Sequence, residues 1–159
     1  MAKKQQQSAN QAPRVSNRKA RHDYNILEVV EAGIELLATE VKSIRAGHAR
    51  LDEAYARLVG DEVFLVGANI AMYANASGAV QHDPTRDRKL LLHRRQIELI
   101  AAHVRQKGKT VVPLAIYFKR GWAKCELGIA VGKRQYDKRE TIKKRDQQRD
   151  IAREMRRRR

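Results

Sequence analysis

The C-terminal segment from Lys133 to Arg159 is too charged to join a hydrophobic core. Its 27 residues hold 13 Lys or Arg against 5 Asp or Glu, a net charge of +8 in a chain whose net charge is +16. The few apolar residues are too sparse to form a stripe that could pack on another element. We therefore predict a basic arm, unfolded when alone, that follows a separate folded body.

The N-terminal end is basic as well. Residues 1 to 21 carry 6 Lys or Arg and no acid, and the stretch before Ser16 is mostly Gln, Ala, Asn, Lys and Ser, a composition that stays disordered. Residues 22 to 132 carry 15 basic and 13 acidic side chains, a net charge of only +2. We predict a disordered extension over 1–16, one domain over 17–132 and the arm over 133–159.

This distribution of charge indicates a polyanionic partner. Nucleic acid is favoured because each Lys or Arg that meets a phosphate releases counterions, whereas the arm has no apolar face that could enter lipid. The sequence has no apolar run of 18 residues, and its first ten residues lack the apolar stretch of a signal peptide. We expect a cytoplasmic protein without a membrane partner.

The sequence offers little material for catalysis. The single cysteine, Cys125, excludes an internal disulfide and a thiolate metal cluster, and we expect it to be a small buried hydrophobe in a strand. The five histidines lack metal-binding spacing, and there is no Gly-rich phosphate loop, activated nucleophile or carboxylate pair. We predict that the protein is not an enzyme and needs no metal or cofactor.

The first part of the body reads as strands and a short helix. Alternating residues from His22 to Ala38 predict a hairpin, with Gly33 in its turn. Thr39 is predicted to cap a helix that Gly47 ends in the left-handed conformation.

The rest of the body reads as mainly β. Gly60-Asp61 is predicted to join two strands, 74–88 to be a mobile exposed loop, and 93–104 to be a helix with apolar residues at helical spacing. Two further strands are predicted over 110–118 and 122–131. Five to seven short strands with two helices indicate a small β-barrel.

Two further basic segments could contact RNA. The segment from Ser16 to His22 combines cations with Asn17, whose amide can bond sugar or base edges; a floppy basic terminus is the alternative. In the segment from Arg86 to Arg95 most of the leucine triplet is expected in the core, with the flanking cations free to face phosphate.

The arm has features beyond its charge. Opposite charges at helical spacing, each worth about 0.2 to 0.5 kcal/mol to a helix, occur at Glu140 and Lys144, Asp146 and Arg149, and Asp150 and Arg153. We predict that the arm becomes helical on a partner, with Tyr136 able to stack on an exposed base for about 1 to 3 kcal/mol. The alternative is a solvated tail that only aids solubility.

Several of these segments together resemble one known family. They are Asn17-Arg18-Lys19-Ala20-Arg21-His22, Glu31-Ala32-Gly33-Ile34, Thr39-Glu40-Val41-Lys42-Ser43-Ile44-Arg45-Ala46-Gly47, Asp83-Pro84, Arg88-Lys89-Leu90-Leu91-Leu92-His93 and Tyr136-Asp137-Lys138-Arg139. In this order they are similar to the SsrA-binding protein family, also called small protein B. The resemblance implies an OB-like small β-barrel, mainly β with two to three α-helices and a disordered basic C-terminal tail.

The resemblance also implies a function and its residues. A bacterial protein of this kind binds the tRNA-like domain of transfer-messenger RNA and delivers it to ribosomes stalled on messages without a stop codon. The RNA-binding residues that the resemblance implies, together with neighbours in the same segments, are Asn17, Arg18, Lys19, Arg21, His22, Tyr24, Glu31, Lys42, Arg45, Lys89, Leu91 and Lys124. Among them, the Glu31 carboxylate could accept from the amino group of an unstacked guanine or cytosine.

The arm is implied to act in the ribosome. Its residues expected in the decoding centre and the empty messenger path are Tyr136, Asp137, Lys138, Arg139, Ile142, Lys143 and Arg145. The implied partners are transfer-messenger RNA, the stalled 70S ribosome with its 16S rRNA, and elongation factor Tu through the aminoacylated RNA, with the free protein a monomer. The alternatives are a structural ribosomal protein whose basic tails fill rRNA crevices, and a DNA-binding protein.

Overall fold

A computed structural model describes residues 13–157, so only the last four residues of the predicted extension fall within it. In chain order the described elements are β1 (Val15–Ser16), α1 (Arg18–Asp23), β2 (Tyr24–Ile34), α2 (Ala38–Arg45), β3 (Ala49–Arg50), β4 (Tyr55–Val59), β5 (Glu62–Val66), β6 (Asn69–Ile70), β7 (Arg88–Leu91), α3 (Arg94–Val104), β8 (Lys109–Lys119), β9 (Trp122–Gly132) and α4 (Gln135–Arg157). A short 3-10 turn, Gly78–Val80, lies between β6 and β7.

Seven of the strands form one antiparallel sheet in the order β1-β8-β9-β2-β7-β5-β4. The three 11-residue strands β8, β9 and β2 are its centre, and β4 packs against β8 so that the sheet curls into a small barrel. Strands β3 and β6 pair separately. The predicted class, mainly β with helices, is confirmed.

The core lies inside this curled sheet. It includes Leu65, Leu127 and Ile129 from the strands and is closed by Ile44 of α2 and Ile100 of α3. Cys125 is fully buried in β9, as predicted. Burial of such side chains, each worth about 1.5 to 3 kcal/mol, holds the helices on the sheet.

The predicted hairpin with a turn at Gly33 is wrong. Gly33 lies inside the single long strand β2, between Lys124 of β9 and Leu91 of β7. A Cβ at this position would lie 3.1 Å from the Leu91 Cβ, so the glycine here permits close packing of a neighbouring strand. Pairing with β9 along nearly the whole of β2 outweighs the turn tendency of a local glycine.

Helix α2 was predicted correctly, but its cap was not. Leu37 is the N-cap residue, and its N–H donates to the Glu40 carboxylate at 2.7 Å. Thr39 lies in the first turn, where its hydroxyl is 2.8 Å from the buried His82 ring. Gly47 follows the helix at φ 80°, the left-handed conformation that was predicted.

Residues 74–88 are not exposed throughout, contrary to the prediction. His82 and Arg88 are both buried, and Arg88 begins strand β7. Arg88 donates to the Pro84 carbonyl at 2.9 Å and to the Ala68 carbonyl at 2.8 Å. These contacts fasten the segment to the barrel, which the loop-forming composition did not reveal.

The other predicted elements are present. Gly60 and Asp61 connect β4 to β5, and α3 occupies 94–104. The β8–β9 turn passes through Arg120 and Gly121 at φ 51° and 81°.

Residues 135–157 of the arm form the 23-residue helix α4, the form predicted for the bound state of the arm. Arg149 and Asp146 lie 4.0 Å apart, and Arg153 and Asp150 3.8 Å apart, as the spacing predicted. Just before the helix, the Lys133 N–H donates to the Asp23 carbonyl at 2.9 Å. The conformation of the arm without a partner stays a prediction, and the Glu140 side chain lies outside the described part of the chain.

Candidate RNA-binding surface

Asn17 is a structural residue, which corrects its assignment to RNA. It is the N-cap of α1, and its Oδ1 accepts from the Ala20 N–H at 2.9 Å. Its Nδ2 donates to the carbonyls of Leu51 at 2.8 Å and Pro113 at 3.0 Å. Because the side chain is buried with both amide hydrogens used, it holds α1 on the barrel and leaves no donor for a base.

Helix α1 presents the basic residues that follow Asn17. Arg18 is exposed, whereas Lys19 pairs with Glu53 at 2.5 Å and Arg21 with Glu126 at 3.2 Å. His22 Nδ1 lies 2.9 Å from an Asp23 carboxylate oxygen. Tyr24 opens β2 opposite Gly132, so these side chains lie where the arm leaves the body.

The sheet brings Glu31, Leu91 and Lys124 together. Gly33 on β2 pairs with Leu91 of β7 on one side and with Lys124 of β9 on the other. Glu31 lies two residues before Gly33, on the same face because side chains alternate along a strand. Its Oε1 is 3.9 Å from the Lys124 Nζ, and Leu91 is half exposed.

Glu31 is surrounded by donors from β8 and β9. The Tyr117 hydroxyl donates to its Oε2, and the Lys119 Nζ lies 3.4 Å from the same oxygen. The Tyr117 hydrogen bond is the main cause that lowers the pKa of Glu31, and Lys119 and Lys124 add to it. The carboxylate is therefore ionised at neutral pH and able to accept a hydrogen bond from a base amino group.

An apolar groove adjoins these residues. It has a volume of about 480 Å³, and its lining includes Val41, Leu91, Phe118, Trp122 and Lys124. Trp122 is 75% exposed at the start of β9. An exposed indole beside cations is the arrangement on which unstacked bases commonly stack.

Helix α2 contributes two cations whose charged ends rest on aromatic rings. The Lys42 ammonium lies 5.2 Å from the Tyr73 ring centroid, and the Arg45 guanidinium 5.0 Å from that of Phe118. Because Phe118 lines the apolar groove, Arg45 belongs to the same end of the sheet. Both side chains are exposed and able to meet phosphate.

Two cations of the Arg86 to Arg95 segment, Arg86 and Arg88, are held by a buried carboxylate and are not free for phosphate, which corrects that part of the prediction. Arg86 and Arg88 both donate to Glu40, and Arg94 pairs with Asp61 at 3.0 Å. Lys89, a predicted RNA contact, pairs with Glu62. Leu90 and Leu91 alternate because they lie on β7, with Leu90 buried and Leu91 exposed, and Leu92 follows the strand and packs against the core.

The α1 residues and the Glu31 group form one continuous surface. Arg21 reaches from α1 to Glu126, which lies directly opposite Glu31 in the β2–β9 ladder. Arg14 approaches the same carboxylate at 2.5 Å, and its guanidinium lies 5.0 Å from the Tyr117 ring centroid. We call this outer face of β2, β8 and β9, with α1 and α2 at its ends, the RNA face.

The sequence reasoning missed five members of this face: Arg14, Tyr117, Lys119, Trp122 and Glu126. All but Arg14 lie on β8 or β9, both of which were predicted as strands. Period-two alternation could have selected their faces, but only the register shows that they adjoin Glu31.

The arm side chains divide into two groups. Arg139, Ile142, Lys143 and Arg145 are exposed on α4. The side chains of Tyr136, Asp137 and Lys138 lie outside the described part of the chain. The decoding-centre role of both groups stays a prediction.

The described residues offer neither a metal site nor a membrane-spanning helix. Among the side chains that the structure describes, no cluster of three or more His, Cys, Asp or Glu residues is placed to bind a metal ion. Within residues 13–157 no helix has the length and apolar character required to span a bilayer.

Comparison with known proteins gives a consistent result. The family model described as SmpB protein matches residues 14–157. An SsrA-binding protein of Chloroflexus aggregans is 56% identical over 142 residues, covering 89% of this chain and 90% of the relative. One from Gloeobacter violaceus is 54% identical, covering 90% and 93%.

A solved structure agrees with these relatives. It is described as "tmRNA-SmpB: a journey to the center of the bacterial ribosome" and has a TM-score of 0.67 and 49% identity, covering 82% of this chain and 95% of that one. With the family model matching nearly the whole described chain, the protein belongs to the SsrA-binding protein (SmpB) family.

Proposed function

We propose that this protein binds the tRNA-like domain of transfer-messenger RNA through the RNA face and delivers it to stalled ribosomes for trans-translation. The observation that carries the proposal is the convergence of Glu31, Leu91 and Lys124 around Gly33, beside an exposed Trp122. This group combines an acceptor, an apolar contact, a cation and a stacking surface. The names of the relatives and of the solved structure support the same RNA and the same ribosome.

The RNA face suits a folded RNA with unstacked bases. Arg18, Lys42 and Arg45 supply exposed positive charge for the backbone, which positions the RNA without reading its sequence. Glu31 supplies selectivity instead, because a carboxylate repels phosphate and accepts only from donors such as base amino groups. The role is one of binding and delivery.

The arm is proposed to occupy the decoding centre and the empty messenger path. A helix with exposed Arg139, Lys143 and Arg145 can neutralise rRNA phosphates along a narrow channel. Ile142 is 46% exposed and offers an apolar contact on the same helix. Tyr136, Asp137 and Lys138 belong to the first turns of this helix and are assigned to the same site.

Further partners follow from this role. The 16S rRNA of the 70S ribosome would contact the arm, and elongation factor Tu would join through the aminoacylated RNA. The protein would act in the cytoplasm and be a monomer before it meets the RNA.

Two experiments test the proposal. RNA crosslinked to the protein in cells should contain one dominant species with a tRNA-like end; equimolar rRNA in every ribosome would instead indicate a structural ribosomal protein. Truncation after Gly132 should keep affinity for the free RNA and abolish the rescue of stalled ribosomes. Loss of most RNA affinity in the truncated protein would contradict this division between body and arm.

A further inference from the structure

We propose that Tyr117 is a positioning residue of the RNA face, whose hydroxyl fixes the Glu31 carboxylate so that one oxygen is presented to a base amino group. This inference rests on the proposed RNA-binding function. It assigns a role to a residue that no sequence motif singled out.

The geometry holds one oxygen of Glu31 and leaves the other accessible. Tyr117 on β8 lies opposite Lys124 on β9, and its hydroxyl reaches past that strand to Oε2 of Glu31 on β2. The Lys119 Nζ is 3.4 Å from the same oxygen. Lys124 lies 3.9 Å from Oε1, too far for a direct hydrogen bond, so Oε1 can take a new donor.

Glu31 needs a hydrogen-bond donor such as Tyr117 because a second carboxylate, that of Glu126, lies beside it. Glu126 lies directly opposite it in the β2–β9 ladder, and like charges at opposed positions repel. Glu126 is directed to Arg14 and Arg21, at 2.5 and 3.2 Å. Tyr117 is the corresponding partner of Glu31, and this separates the two carboxylates.

A neutral donor is better suited to this task than a cation. When RNA approaches, Lys119 and Lys124 are attracted to phosphate and can leave Glu31, because their ion pairs are exposed. A phenol has no net charge to draw it away. Tyr117 therefore keeps the carboxylate oriented while the lysines exchange partners.

Tyr117 is itself held in place. The Arg14 guanidinium lies 5.0 Å from its ring centroid, and Arg14 is fixed in turn by Glu126. Burial and the hydrogen bond to Glu31 raise the pKa of Tyr117 to about 12, so the hydroxyl remains a donor at neutral pH.

The test uses the full-length protein and a transcript of the tRNA-like domain. Tyr117→Phe keeps the ring and removes only the hydroxyl. We expect it to weaken binding up to about tenfold, because a mispositioned Glu31 loses its charged hydrogen bond to the base amino group. Glu31→Gln should weaken binding similarly, and the double variant should bind no more weakly than Glu31→Gln alone. Tyr55→Phe, which removes a hydroxyl from an exposed tyrosine on β4, is the matched control.

A second readout separates positioning from general stability. NMR titration of the Glu31 carboxyl in the free protein should show its midpoint rise in Tyr117→Phe. The unfolding midpoint in urea should fall only slightly, because the Glu31 side chain is partly exposed to solvent. Suppose that Glu31→Gln binds RNA weakly. The inference would then be overturned if Tyr117→Phe kept full affinity, or if the affinity losses of the two single variants multiplied in the double variant. If Glu31→Gln also binds normally, the proposed RNA face fails, and the inference with it.

Discussion

The Glu40 carboxylate and the Arg88 guanidinium meet at 2.8 Å with both side chains fully buried. Glu40 also accepts from Arg86 at 2.8 and 2.6 Å and from the Leu37 N–H. The pair joins α2, which carries Lys42 and Arg45, to strand β7, which carries Leu91. The position of the RNA face at this end of the barrel therefore depends on a charge network centred on the buried Glu40 and Arg88.

Removal of Arg88 should destabilise the fold strongly. Arg88→Met leaves the buried Glu40 without its buried partner, and loss of one member of such a pair costs about 3 to 5 kcal/mol. Urea unfolding at neutral pH measures the change. Arg94→Ala is the control: it breaks the exposed pairs with Asp61 and Glu98 and should have little effect. A loss below about 1 kcal/mol in Arg88→Met would contradict the assigned role.

Glu40 should also make stability depend on acid pH. Burial alone would raise the pKa of its carboxyl, but hydrogen bonds from Arg86 and Leu37 and the charge of Arg88 outweigh burial, so the pKa is lowered. The stabilisation is then present above the pKa of the unfolded chain and is lost as pH falls through the folded value. Urea unfolding at a series of pH values should show this loss, and Glu40→Gln should reduce the slope. An unchanged slope would exclude Glu40 as its source.

Gly67 should tolerate no side chain. Its φ is 76°, and an added Cβ would lie 2.7 Å from the Glu53 carbonyl oxygen, so Gly67→Ala combines backbone strain with a clash against backbone. Gly60→Ala is the matched control, since Gly60 has φ 59° but open space around it. We expect Gly60→Ala to cost about 1 to 2 kcal/mol and Gly67→Ala clearly more. Thermal unfolding of both variants measures the difference, and equal losses would show that the clash is relieved.

Asn17 should contribute to the stability of the fold. Asn17→Ala removes the N-cap of α1 and leaves the Leu51 and Pro113 carbonyls without this donor, at a cost of about 2 to 3 kcal/mol. Urea unfolding measures this loss. Arg18→Ala, at the next and exposed position, should instead lower RNA affinity with little change in stability. Full stability of Asn17→Ala would restore the amide as a candidate RNA contact.

Elements with a strong local pattern could be predicted. Helix α3 was visible from its apolar spacing and the β4–β5 hairpin from Gly60-Asp61, because both depend on neighbours close in the chain. The turn expected at Gly33 failed because β9, some ninety residues later, pairs across it. The same limit explains Arg88, whose burial depends on Glu40, 48 positions away.

The sequence alone determined the separation of a nearly neutral body from a basic arm, since charge and apolar content are properties of composition. It also carried the family motifs, and with them Glu31, Leu91 and Lys124. The tertiary structure decided which side chains lie together on the outer face of β2, β8 and β9, and it buries Asn17 and Arg88. Only the tertiary structure shows the hydrogen bond between Tyr117 and Glu31, which lie 86 positions apart. Strand register is set by pairing between distant segments and cannot be read from either segment alone.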